Sequence, residues 1–308
     1  MATFSSLPPE ITREVLRYLP IRALLDFGLT SRLNFAIQSC SLSSLRLGVF
    51  HSRLGGMISL MEATADRTCL HSVQIILPKT ESRTKDMVIK NQDMKTRKIL
   101  DRYQKSLRDL EVALWELQES SASSIARLKN LTRLSIRLDH PHTRYPGVDQ
   151  DSWESASGST VWNILGSKSA EVSGALGCLQ SLNLERAGIT DYQLAEVLES
   201  NPRLTELRLK KCFNLTYKLF KTLSESKVGQ QLETLHFTKS NNDKIDERVL
   251  DCIAKMPKLK SLSFHGCHGI DTELLTKLNE EQWRIPDLTL PSTPSTPKQA
   301  VEIDPEYK

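Results

Sequence analysis

Four segments of the chain lie on one template: LQSLNLERAGIT from Leu179, LTELRLKKCFNLT from Leu204, LETLHFTKSNNDKID from Leu232 and LKSLSFHGCHGID from Leu259, at spacings of 25, 28 and 27 residues. A period of that length constrains the fold strongly, because each unit is too small to bury its own apolar face and must stack on the next. Every copy places apolar residues at offsets 0, 3 and 5: Leu179, Leu182, Leu184; Leu204, Leu207, Leu209; Leu232, Leu235, Phe237; Leu259, Leu262, Phe264. The pair at offsets 3 and 5 reads as a short strand that turns one side to a core. Offset 8 carries Ala187, Cys212, Ser240 or Cys267, all small enough for a tight turn.

Beyond offset 8 the template continues. A further apolar residue (Ile189, Leu215, Ile245, Ile270) precedes Thr190, Thr216, Asp246 or Asp271, whose side-chain oxygens suit a helix N-cap. Helically spaced apolar residues follow, such as Leu194, Val197 and Leu198, or Leu219 and Leu223, and Pro202 and Pro257 close two of those helices. These segments resemble the cysteine-containing subclass of leucine-rich repeats. The resemblance implies an α/β solenoid, curved, with parallel strands on the concave face and helices on the convex one.

Fainter copies extend the array. Leu42, Leu45, Leu47; Leu70, Val73, Ile75; Leu107, Leu110, Val112; Leu131, Leu134, Ile136; and Ile285, Leu288, Leu290 all fit offsets 0, 3 and 5, which makes nine units over 42–290. Two intervals are irregular: 37 residues from Leu70 to Leu107 and 48 from Leu131 to Leu179. The second contains PGVDQDSWESASGSTVW, read as a loop insertion before a helix near Trp162 to Leu165, with a degenerate repeat as the alternative. The irregular segments fall near 78–105 and 139–177. Between Lys79 and Lys105 stand nine Lys or Arg against four Asp or Glu, a surplus larger than the +4 of the whole chain. With Tyr103 as its one aromatic residue, this stretch reads as a solvated helix or loop rather than a nucleic-acid contact.

Composition excludes several classes. With 39% hydrophobic and 25% charged residues the chain is globular, and its small net charge sets up no global field for nucleic acid or an anionic membrane. No run approaches the ~18 apolar residues of a membrane span, and the start has no signal-like pattern, so the expected compartment is the cytoplasm or nucleus. Six cysteines without a CxxC pair fit reduced thiols. HGCH around Cys267 invites a metal reading, but Cys212 and Cys267 share a repeat register and are expected in the core; no metal and no cofactor is expected. Neither a phosphate-cradling glycine loop nor a nucleophile elbow occurs, so no enzyme is expected.

Ahead of the repeats stands LPPEITREVLRYLP, from Leu7 to Pro20. Pro8 and Pro9 suit the first turn of a helix, Glu10 complements its positive end, and Pro20 stops it. Three short helices in some 40 residues bury little apolar surface alone, so Ile11, Val15, Leu16 and Leu19 need a cover. A solenoid cap is one reading. The motif gives another: Leu7-Pro8, Glu10-Ile11, Val15-Leu16, Leu19-Pro20, Leu24-Leu25, Leu29 and Ser31-Arg32 resemble the F-box, which would occupy 1–41. That resemblance implies a Skp-family adaptor bound through Leu7, Pro8, Pro9, Ile11, Val15, Leu16, Leu19 and Leu24, and through it a cullin. The chain would then be the substrate-recognition subunit of a Skp-cullin-F-box ubiquitin ligase. An adaptor-bound scaffold without a ubiquitination role, or a plain repeat-based binding module, are the alternatives.

Side chains flanking the inward pair in each strand point to the opposite face. The row runs from Asp109 and Glu111 through Arg133, Ser135, Arg137, Ser181, Asn183, Glu185, Glu206, Arg208 and Lys210 to Thr234, His236, Thr238, Ser261, Ser263 and His265. Its basic middle suggests an acidic or phosphorylated protein substrate; the insertion from Pro146 to Ser159 is the competing site. Thr293-Pro294 and Thr296-Pro297 fit proline-directed kinases, in a Pro/Ser/Thr tail over 291–308 expected to be disordered.

Overall fold

In a computed structural model of the chain, the described residues are 8, 11, 15, 30, 44–48, 72–76, 90, 93, 94, 96–98, 100, 101, 104, 107–114, 116–138, 160–166, 176–238 and 245–291, with 44–48 and 72–76 described in backbone only. Nine strands among them form one parallel sheet in strict sequence order: β1 Ser44–Gly48, β2 Ser72–Ile76, β3 Asp109–Leu114, β4 Arg133–Leu138, β5 Ser181–Glu185, β6 Glu206–Lys210, β7 Thr234–Thr238, β8 Ser261–Ser263 and β9 Asp287–Thr289. Helices alternate with them: α1 Glu119–Ala126, α2 Thr160–Gly166, α3 Asp191–Glu199, α4 Tyr217–Glu225, α5 Arg248–Ile253 and α6 Thr272–Leu278. From α1 to α5 each helix packs on the next. This is a leucine-rich-repeat type of solenoid.

The template's register is the sheet's register. Offset 3 runs unbroken across all nine strands, as Leu45, Val73, Leu110, Leu134, Leu182, Leu207, Leu235, Leu262 and Leu288. Leu207, Leu235 and Leu262 are completely buried, as are Leu209, Phe237 and Phe264 at offset 5. Phe220 of α4 closes the core between the last two rings, 5.5 Å from Phe237 and 5.9 Å from Phe264. Because β4 pairs directly with β5, the 48-residue interval adds no strand between them. It does supply α2, whose Val161, Trp162 and Leu165 are buried where the sequence placed a helix.

The units that begin at Leu179, Leu204 and Leu259 leave their strands through the same turn. Offset 7 is left-handed at Arg186 (φ 55°), Lys211 (φ 55°) and Gly266 (φ 72°). For a residue with a Cβ this costs about 1–2 kcal/mol, and a hydrogen bond to the next repeat helps to offset it: Arg186 N donates to Lys210 O (2.8 Å) and Lys211 N to Thr238 O (3.0 Å). The turn drops offset 8 into the core, where Ala187, Cys212 and Cys267 are buried. Thr190 then caps α3 in a reciprocal box with Gln193, Thr216 caps α4 and Asp271 caps α6. Asp246 stands one residue ahead of the N-cap position of α5, yet its carboxylate still accepts from Arg248 N (3.0 Å).

Candidate partner-binding face

Alternation within the strands brings Arg133, Ser135, Arg137, Asn183, Glu185, Glu206, Arg208, Lys210 and His236 onto the sheet side opposite the core, with His265 exposed just beyond β8. Three of the four cations in the middle of that face, Arg133, Arg208 and Lys210, are engaged with carboxylates. Arg133 grips Asp109 through two parallel bonds of 2.7 Å. Lys210 lies 3.1 Å from Glu185, and Arg208 donates to Glu206 on its own strand. Glu206 sits below the ordinary glutamate range: partial burial pushes it up, but hydrogen bonds from Ser181 and Arg208 outweigh that. These three charge pairs dominate the face, and Asn183 Nδ2 donating to Ser135 Oγ (3.1 Å) adds a neutral link.

Toward the last strands the face changes character. Ser261 Oγ donates to Asp287 Oδ2 (2.6 Å), and His236 Nε2 lies 2.8 Å from Ser261 Oγ. A hydroxyl has one proton to give, so Nε2 of His236 is the protonated nitrogen. Burial lowers the imidazole pKa, the neighbouring Arg208 lowers it further, and Asp287 and Glu206 pull the other way. The hydroxyl stands between imidazole and carboxylate and is spent on the carboxylate. This order therefore does not activate it as a nucleophile, which needs the base beside the hydroxyl and the carboxylate behind the base.

The remaining expectations divide. Cys212 is in the core, with Sγ 3.6 Å from Leu184 O, and burial pushes its thiol up to about 12. Cys267 Sγ makes the equivalent contact with Phe237 O at 3.2 Å, while His265 and His268 are exposed. Among the described residues no three His, Cys, Asp or Glu gather into a metal-holding group, and no helix is long and apolar enough to cross a membrane. Of the adaptor residues, Pro8, Ile11 and Val15 are described. Ile11 and Val15 are helical, four residues apart, and 51% and 40% exposed. Leu7, Pro9, Leu16, Leu19, Leu24, Ser240, the 146–159 insertion, Thr293 and Thr296 lie outside the described residues.

No family model matches the sequence, and no curated protein matches it. Among solved structures, a chain from the crystal structure of the Rad7 and Elc1 complex in yeast is similar, with a TM-score of 0.48 and 17% identity over 86% of this chain and 68% of that one. A likeness of that strength says nothing of partners or activity. What the sequence reading missed on the face was its pairing, although the signal was present. Asp109 with Arg133, and Glu185 with Lys210, occupy equal offsets in successive units and so become direct cross-strand neighbours.

Proposed function

We propose that the chain is a non-catalytic substrate-recognition subunit of a Skp-cullin-F-box ubiquitin ligase, its first 41 residues docking a Skp-family adaptor and its repeats holding a protein substrate. The observation that carries the reading is the pair Ile11 and Val15, two large apolar side chains one helical turn apart and half exposed to water. Such a stripe is costly to leave open, since fully burying one aliphatic side chain is worth about 1.5–3 kcal/mol, and it coincides with the motif at Leu7 to Pro20. The repeats supply a rigid array of side chains at fixed spacing. In this role the chain contributes proximity: it holds a substrate where other subunits perform the transfer. Replacing Ile11 and Val15 together by Asp is expected to abolish co-purification with a Skp-family adaptor while circular dichroism and the melting temperature of the repeats stay unchanged. Undiminished adaptor binding in that variant, and again after removal of residues 1–40, overturns the reading in favour of a plain repeat-based binding module.

A further inference from the structure

The two edges of the solenoid differ in charge. The described turns that lead from a helix into a strand, 127–132, 176–180, 200–205, 226–233 and 254–260, carry seven cations against one anion. The described turns that lead out of a strand, 116–118, 186–190, 211–216, 245–247 and 264–271, carry two cations against four anions. On the basic edge Arg127 is held by Asp101 (2.7 Å) and Lys260 by Glu233 (2.8 Å). The other five, Lys129, Arg203, Lys227, Lys255 and Lys258, are exposed and form no ion pair with any described residue. The turns are tied to one another: Gln180 N donates to Thr132 O (2.8 Å), Thr205 N to Gln180 O (2.9 Å), Glu233 N to Thr205 O (2.8 Å) and Gln230 Nε2 to Lys255 O (3.0 Å). Helix C-termini converge here, and each offsets about half a charge, which leaves the five cations in clear excess.

We propose that this edge, from the turn before β4 to the turn before β8, docks an acidic, extended protein segment; this rests on the reading of the repeats as the partner-holding part of the chain. Arg133, Arg208 and Lys210 of the sheet face are already paired with carboxylates, so an acidic partner finds more open cations on the edge. At about 4.8 Å per strand the edge runs roughly 20 Å, which an extended segment crosses in about six residues. A folded partner needs apolar anchors at the centre of its interface, and the leucines, valine and methionine of these turns are all buried. Lysines neutralise nucleic-acid phosphates as well, but base recognition adds arginine forks and stacking rings; the open cations are four lysines and one arginine, and no turn of the edge holds an aromatic residue.

The test is fluorescence anisotropy with the full chain and a labelled peptide of ten glutamates, at ~50 and ~150 mM salt. Changing Lys129, Arg203, Lys227, Lys255 and Lys258 together to Gln is expected to weaken binding at least about tenfold, with the melting temperature kept. Changing Arg133, Arg208 and Lys210 to Gln is expected to alter it less than about twofold. The reverse ranking of those variants overturns the proposal. So does tighter binding of a DNA duplex lost with the same five residues, which assigns the edge to nucleic acid. A several-fold gain in peptide affinity on deleting 292–308, which contains Glu302, Asp304 and Glu306, assigns it to the chain's own tail. Adaptor binding is measured separately through Ile11 and Val15, so failure of one reading is distinguishable from failure of the other.

Discussion

Leu207→Ala is the sharpest probe of the stacked register. Leu207 has no solvent exposure and lies between Leu182 and Leu235 in the offset-3 row, both held by strand pairing on either side. The substitution removes three carbons at about 0.8 kcal/mol each, roughly 2.4 kcal/mol. The backbone ladder keeps the walls from closing, so a residual cavity of about 40 Å³ at ~24 cal/mol per Å³ adds about 1 kcal/mol. The expected loss is about 3.5 kcal/mol, or a fall in melting temperature of some 7–14 °C for a body of this size. Arg208→Ala, one residue along and pointing to the other side, removes a half-exposed ion pair with Glu206 and should cost about 0–1 kcal/mol. Paired urea and thermal melts read both. Equal costs at the two positions, or a larger one at Arg208, would refute the register and with it the assignment of the sheet face.

Two further outcomes follow from the same packing. A Cβ on Gly229 would stand 1.9 Å from Leu223 O and 2.7 Å from Leu223 C, backbone atoms at the end of α4 that cannot swing aside. Gly229→Ala should therefore destabilise by more than the gain of about 0.4–1 kcal/mol that Gly→Ala gives at a compatible site, and a melting temperature at or above the parent's would contradict the geometry. For His236 the folded-state pKa lies below 6.5. As pH falls through about 6.5 the unfolded chain takes up the proton first, so this group's contribution to stability declines from there down to the folded pKa and is level below it. NMR titration should place the imidazole below 6.5 and move it up in Arg208→Gln; no movement would remove Arg208 as a cause.

The strands were legible because two independent signals coincide in them. Apolar residues alternate with period two inside a unit, and the same offsets recur from Leu45 to Leu288, so even the weakly apolar unit around Leu288 falls into register. Capping was legible for a related reason: Thr190, Thr216 and Asp271 are residue types whose short oxygen-bearing side chains favour that position wherever it occurs. The left-handed turn was hidden. Two of its three described positions are Arg186 and Lys211 rather than glycine, and the interaction that tolerates them is a hydrogen bond to the next unit, which no local pattern records.

Summing a row of side chains by residue type does not give its field, which depends on pairing. The structure separates cations that are already neutralised by a carboxylate, as at Arg133, Lys210 and Arg208, from exposed ones that form no ion pair with a described residue, as at Lys129, Arg203 and Lys258. A partner that must displace Asp109 from Arg133 gives up two charge-assisted bonds for each pair it makes, so exchange there is close to neutral. One that meets an exposed lysine displaces only water and counterions, and its attraction adds to the free state without a competing loss. Acidic recognition by this solenoid is thus expected to be fast, dependent on salt and located along the basic edge. The sheet face, whose pairs fix a pattern of alternating sign, is suited to rejecting segments that do not reproduce that pattern.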